Sequence, residues 1–235
     1  MRILASARSS NRQTGDVPSI AIGRTKKEMR ASCAHSDCPL FHATMKARSD
    51  RGWAKKHKAS HTKCYAWDGT TNMAAASQVK KHARGGDTTL TKALADRLWS
   101  ARMVRVGSIG DPSWLKEEEA CEMLDAIEDE GLTVIGYTHG WQRAPWLKGR
   151  LMASVDTNAE AVTAMRRGWG VAVILPPGHT DPTFTVGGRV GKTCPVKLGE
   201  PTDCNSCLYC DGNGLVGFPR HDNYGRAAAH ARKGE

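Results

Sequence analysis

Cysteine is the residue whose type and spacing carry chemistry in this chain. The C-terminal region reads Cys194-Pro195, then Cys204-Asn-Ser-Cys207-Leu-Tyr-Cys210. Three thiolates at C-x2-C-x2-C plus a remote Cys-Pro form the arrangement a cubane cluster favours: the chain wraps one corner, and a distant cysteine supplies the fourth iron. Mononuclear zinc usually takes two separated Cys/His pairs, so the third cysteine of a tight run fits it less well, and zinc stands as the alternative. Gly199, Pro201, Asp203, Gly212 and Gly214 surround the run with turn formers. A second set is Cys33-x4-Cys38 followed by Cys64-Tyr65. Three thiolates would leave one iron of a 4Fe–4S cluster open to an external ligand, while His35, His42, His57 and His61 make zinc a competitor there too. The eighth cysteine, Cys121, falls within the apolar stripe of a predicted helix and reads as a small buried hydrophobe. Eight cysteines are many for a cytoplasmic protein, where clustered cysteines are more often metal ligands than disulfides.

The elements that must position these sulfurs read as α/β. Pro18–Gly23, Met103–Gly107, Leu132–Tyr137, Arg150–Val155 and Gly170–Leu175 are short apolar runs bounded by turn residues and predict strands. Helices are predicted over Asn72–His82, Thr88–Ala101, Ser113–Glu130 and Thr157–Gly168. Strand and helix alternating at this spacing predict parallel βαβ units, hence a partial or complete TIM-like βα barrel with a cysteine-rich C-terminal module. The barrel-like domain is placed at residues 1–187, with an inserted Cys/His-rich basic loop at 26–68. The cluster-binding module and tail occupy 188–235, the last residues from Gly225 reading as a frayed helix. The connection between the strands ending at Tyr137 and Val155 is too short for a long helix. Gly187-Gly-Arg-Val-Gly-Lys-Thr193 lacks P-loop spacing and reads as a turn leading to Cys194. Trp99, Trp114, Trp146 and Trp169 read as core or rim packing.

A parallel sheet gathers functional groups at the carboxyl ends of its strands. Here those ends carry Gly107-Ser108-Ile-Gly110-Asp111, Tyr137-Thr-His139 and Ser154-Val-Asp156. The backbone of Gly107, Ser108 and Gly110 is a candidate cradle for the polar end of a small-molecule cofactor. Asp111, Tyr137, His139 and Asp156 are candidates for proton transfer, each with the alternative of tying a loop to a strand end.

Charge is split along the chain. Residues 1–100 hold 19 Lys/Arg and 7 Asp/Glu, net +12, whereas residues 101–235 hold 15 and 17, net −2. The basic half, with Trp53, His57 and His61 among the lysines and arginines of Lys46–Lys63, could grip nucleic acid or form a solvated basic face. No stretch approaches the roughly 20 apolar residues of a membrane span, and no secretory leader is visible, so no membrane partner and a cytoplasmic location are expected.

The order of these motifs resembles the radical S-adenosylmethionine superfamily, in which a first strand leads to a loop of three cluster-binding cysteines and a second strand ends in a Gly-Gly-Glu-Pro-type motif. The ordered set Cys64-Tyr-Ala66, Arg105-Val-Gly-Ser-Ile-Gly-Asp111, Tyr137-Thr138, Ser154-Val-Asp156, Cys194-Pro195 and Cys204 to Cys210 is more similar still to a group of bacteriophage proteins, the gene-product-eighty-eight family. That resemblance spans residues 33–210. It implies an iron–sulfur protein on a barrel-like fold, working in the host cytoplasm if phage-encoded. Three functions are consistent with it: a radical S-adenosylmethionine-like or other redox enzyme on a small-molecule substrate; a nucleic-acid-binding module with structural metal; or an electron-transfer or redox-sensing protein.

Overall fold

A computed structural model describes residues 1–9, 14–39, 41–42, 44–45, 67 and 71–219. The described strands are β1 (Ile3–Ser6), β2 (Ser19–Ile22), β3 (Met103–Val106), β4 (Thr133–Thr138), β5 (Met152–Val155), β6 (Val171–Leu175), β7 (Thr183–Val186), β8 (Arg189–Thr193) and β9 (Leu215–Pro219). They form one sheet in the order β1-β2-β3-β4-β5-β6-β9-β8-β7. All pairs from β2 to β8 are parallel, and the antiparallel pairs β1–β2 and β7–β8 flank them. The expected α/β architecture with a mostly parallel sheet is present. Its described pairings run from β1 to β7 as an open series, so these strands do not make the complete barrel.

The five predicted strands are β2 to β6, found where short apolar runs stop at glycine, proline or a polar residue. Helices follow their caps. In α1 (Lys26–His35) the Thr25 side chain accepts from the Glu28 amide, and in α5 (Asn158–Arg166) Thr157 and Glu160 cap each other's backbone. α2 covers Thr71–Ala83. Two predicted helices are shorter than expected. α3 runs only over Leu90–Ala95, because the Arg97 guanidinium donates to the Leu94 carbonyl and ends the ladder. The element predicted over Ser113–Glu130 divides: Asp111 caps a 3-10 turn at Pro112–Trp114, Leu115 is extended, and α4 begins at Glu117 and ends at Glu128. The short β4–β5 connection holds only a 3-10 turn, Pro145–Leu147.

Side chains alternate across the sheet, so each strand feeds two faces. One face carries Ile20, Val104, Val106, Val134, Val155 and Val173 and buries them against α3, α4 and α5 in the largest apolar cluster. The opposite face carries three smaller clusters, and both cysteine-bearing regions cover it. Leu4, Ala21 and Ile109 meet Met29, Cys33 and Cys38; Met103 and Ile135 meet Cys204 and Cys210; Met152, Ala172 and Val216 meet Cys194 and Tyr209. Apolar burial therefore fixes both groups of sulfur on the face away from the main helices.

The C-terminal cysteine segment is not set apart from the sheet. The boundary proposed near residue 188 falls in the turn between β7 and β8, where Gly187 and Gly188 take φ of +55° and +77°, and β9 pairs with both β6 and β8. Trp99 departs from expectation: it is fully exposed, because α3 ends before the turn that carries it, whereas Trp169 is buried and Trp114 and Trp146 pack against the core. Cys121 is half-buried on α4 instead of lying within its buried stripe of Ala120, Met123, Leu124 and Ile127. Among the described residues, no helix is long and apolar enough to cross a membrane.

Candidate metal centre

Cys194, Cys204, Cys207 and Cys210 line a single concavity of about 350 Å³, part of it open to solvent. Its walls are apolar: Ile135 and Tyr137 from β4, Val216 and Phe218 from β9, and Pro195, Val196 and Leu208 from the cysteine segments. Each sulfur reaches it for a local reason. β8 delivers Cys194, whose amide donates to the Gly217 carbonyl across the sheet at 2.8 Å. Pro195 then starts a short helix, α6 (Pro195–Leu198), whose Lys197 amide donates to the Cys194 carbonyl at 3.0 Å. The C-x2-C run is one helical turn, α7 (Cys204–Cys207), capped by Asp203 at the Ser206 amide. Leu208 adopts φ of +52°, which reverses the chain and returns Cys210 to the same concavity. Asn205, one of the two spacer residues, accepts from the Arg102 amide and donates to the Ser100 carbonyl, locking the turn to the entry of β3.

The electrostatics show that the four sulfurs share one environment. Burial pushes the Cys194, Cys204 and Cys210 thiols up, Cys210 to about 12, and the neighbouring sulfurs push each of them further. Tyr137 packs beside Cys210 and opposes that rise, while its own pKa goes well above the usual phenol value through burial and the Cys210 charge. The Tyr137 ring is held edge-on to Phe218 at 5.5 Å. Two cations face the sulfurs. Arg105 favours the Cys204 thiolate, and Lys197, lowered to about 8 chiefly by burial and also by Arg105, is drawn the other way by Cys194 and Cys204. Among the described residues no three His, Cys, Asp or Glu side chains converge as ligands of one metal ion.

The N-terminal set is seen in part. Cys33 and Cys38 pack together with Met29, Phe41 and Trp67, and the buried Trp67 indole donates to the Cys33 sulfur at 3.5 Å. Arg143, from the β4–β5 connection, clasps the end of α1 through the Asp37 carboxylate and the His35 carbonyl. Cys64, like Trp53, His57, His61, the basic stretch Lys46–Lys63 and the tail from Gly225, lies outside the described residues.

The predicted strand-end residues divide in role. Asp111 is buried and accepts from the Ser113 amide and hydroxyl, the Thr138 hydroxyl and the His139 amide at 2.6–3.0 Å. Its carboxylate ties β3, the 3-10 turn and β4 together, leaving it a structural knot. The Gly107–Gly110 loop is likewise pinned to β2: Ser108 donates to the Ile20 carbonyl from both its amide and its hydroxyl, and Ile109 accepts from the Ile22 amide. Gly110, at φ of +81°, lies so close to the Ile22 carbonyl and the Ser32 hydroxyl that no Cβ fits. Close packing, not ligand approach, accounts for that glycine.

His139 and Asp156 stay accessible. Nε2 of His139 is 3.3 Å from the Ser154 hydroxyl and 3.9 Å from Asp156, with the two ionisable side chains 24% and 31% exposed. Both partners face the same ring nitrogen, so this is not a serine–histidine–aspartate relay, which needs one partner on each nitrogen. Burial raises the Asp156 pKa, His139 opposes the rise and Glu160 adds to it.

Arg105 and Lys197 are the site residues that motif reading missed. The signal for Arg105 was its place in Met-Val-Arg-Val, a lone charge at an alternate strand position that shares a face with Met103. No family model, curated protein or solved structure matches this chain.

Proposed function

We propose that this protein is an iron–sulfur protein whose cluster is held by Cys194, Cys204, Cys207 and Cys210, with electron transfer as its basic capacity. The observation that carries the reading is the convergence of four cysteines, from two chain segments, on one apolar-walled concavity. The donor set fits the group. It is all sulfur, it matches C-x2-C-x2-C plus a remote Cys-Pro, and burial and the neighbouring sulfurs push its Cys194, Cys204 and Cys210 thiols up. Iron binding would relieve that repulsion by drawing the sulfurs into the thiolate form with compensating positive charge. Zinc is the competing ion. Mononuclear zinc usually takes two separated Cys/His pairs, and a tight run of three cysteines with a remote fourth suits a cluster, with one thiolate per iron, better.

When bound, such a cluster takes up and releases one electron at a time. The chain's own residues exclude water with Ile135, Val216 and Phe218 and place the Tyr137 phenol beside Cys210. An enzymatic extension, including the radical S-adenosylmethionine-like one, would use the accessible His139–Asp156 pair at the strand ends for proton transfer.

The test is anaerobic purification with iron, sulfide and zinc counted per chain. About four irons and four sulfides, with visible absorption lost in Cys207→Ala and Cys210→Ala but kept in Cys121→Ser, is the expected result. Stoichiometric zinc without iron would refute it.

A further inference from the structure

We infer that Arg105, Lys197 and Tyr137 hold the reduction potential of this centre up, by placing positive charge and a phenol hydroxyl beside its sulfurs. The inference rests on the iron–sulfur reading and deepens it by naming what sets its redox range. The three groups come from separate elements that the fold brings to one place. Arg105 stands on β3 in register with Ile135 of β4, and Ile135 both lines the concavity and packs against Cys204 and Cys210. Lys197 lies on α6, the short helix that opens at Cys194, one turn from its sulfur. Tyr137 is two residues beyond Ile135 on the same face, with its ring fixed by Phe218.

Two cations held near each other repel, and Arg105 and Lys197 do so here. Arg105 shares its face of β3 with Met103, which packs against Cys204 and Cys210, and Lys197 follows Cys194 by one helical turn. The arrangement is therefore matched to negative charge on sulfur. Adding an electron to a cluster makes its sulfurs more negative. Nearby cations and donors stabilise that reduced state more than the oxidised one, and so raise the potential. All three residues are positioning residues acting through the thiolates.

The experiment is an anaerobic redox titration of the purified full chain, followed by visible bleaching and electron paramagnetic resonance. The variants are Arg105→Gln, Arg105→Lys, Lys197→Gln and Tyr137→Phe, with the distant, exposed Lys92→Gln as control. At fixed ambient potential, Arg105→Gln should lower the ratio of reduced to oxidised centre at least tenfold, a downward shift of 59 mV for a one-electron couple. Lys197→Gln and Tyr137→Phe should shift it the same way by less, Arg105→Lys should restore most of the loss, and Lys92→Gln should not move it. If Arg105→Gln fails to retain iron, Lys197→Gln and Tyr137→Phe decide on the same direction of shift. Variants that load a full complement of iron and titrate at the wild-type potential overturn the inference while leaving the cluster reading intact. Wild-type protein that carries zinc and no iron overturns the reading beneath it.

Discussion

Two carboxylates at strand ends, Asp111 after β3 and Asp156 after β5, look alike in sequence and have opposite fates in the fold. Asp111 is buried with every near neighbour donating to it; Asp156 lies at the mouth, with a histidine at 3.9 Å. Replacing Asp111 by Asn would turn one acceptor oxygen into a donor facing donors, and would remove the charge that strengthens the other bonds. Asp111→Asn should cost about 3 kcal/mol by the scale of charged hydrogen bonds, read as a lowered urea midpoint at unchanged slope. A midpoint equal to wild type would return Asp111 to the list of catalytic candidates. The sequence shows that polar groups collect at these ends, because each follows an apolar run. It does not show which are consumed internally, since the Thr138 hydroxyl and His139 amide that engage Asp111 lie on the next strand. One local clue was present: Asp-Pro-Ser is a cap sequence for the turn that Asp111 starts.

Elements were legible in proportion to their apolar content. β2 to β6 are continuous runs buried on both faces, and such runs stand out in a single sequence. β7 and β8 are mostly exposed and polar, so neither gave a periodic signal. β9, Leu-Val-Gly-Phe-Pro, was masked by the glycines and cysteines before it. α1 buries only Met29 and Ser32, too few for a stripe, yet Thr25-Lys-Lys-Glu28 carries the Thr-x-x-Glu signature of a helix start. Glycine contacts join these elements to the sulfurs. The Gly170 amide donates to the Gly212 carbonyl, the Val171 amide to Gly214, and Gly212 at φ of +98° packs against the Gly149 carbonyl. A methyl group on Gly170 would meet the Gly212 backbone, two residues from Cys210. Gly170→Ala should therefore cost about 1–3 kcal/mol as overpacking. It should also reduce metal retention, an effect seen as a lower melting temperature together with a lower metal content. Loss of stability with full metal content would show the loop adapting without moving Cys210.

At the scale of the molecule, the sheet separates two kinds of stabilisation. One face is a broad apolar layer with helices, able to hold without metal; the other is three small clusters into which the cysteines are built. Removal of the proposed cluster should therefore act unevenly. Chelation of the holoprotein is expected to speed amide exchange over residues 194–219 by a hundredfold or more, corresponding to about 2.7 kcal/mol, and to leave α4 and β3 nearly unchanged. Uniform loosening across both faces would show a single cooperative unit in which the metal supports everything. The α/β class was readable from the alternation of elements. The continuation of the sheet through the cysteine segment was not, because β9 pairs with β6 across about 40 residues of intervening chain, and only folding reveals that pairing.

The position of β9 sets an order of events. It is the last described strand along the chain, yet it sits between β6 and β8, so the sheet is unfinished until residues 215–219 have been synthesised. Until then β6 presents a raw edge, and β8 has no parallel neighbour to orient the Cys194 amide toward Gly217. Cys210 precedes β9 by only a few residues, so a growing chain completes its four cysteines and this interior strand almost together. Pairing across that separation is slow. A nascent chain halted before Leu215 would expose a strand edge prone to aggregation and hold four thiols without the wall formed by Val216 and Phe218. Completion of the sheet and capture of metal would then be a single late step, timed by the exit of the final strand.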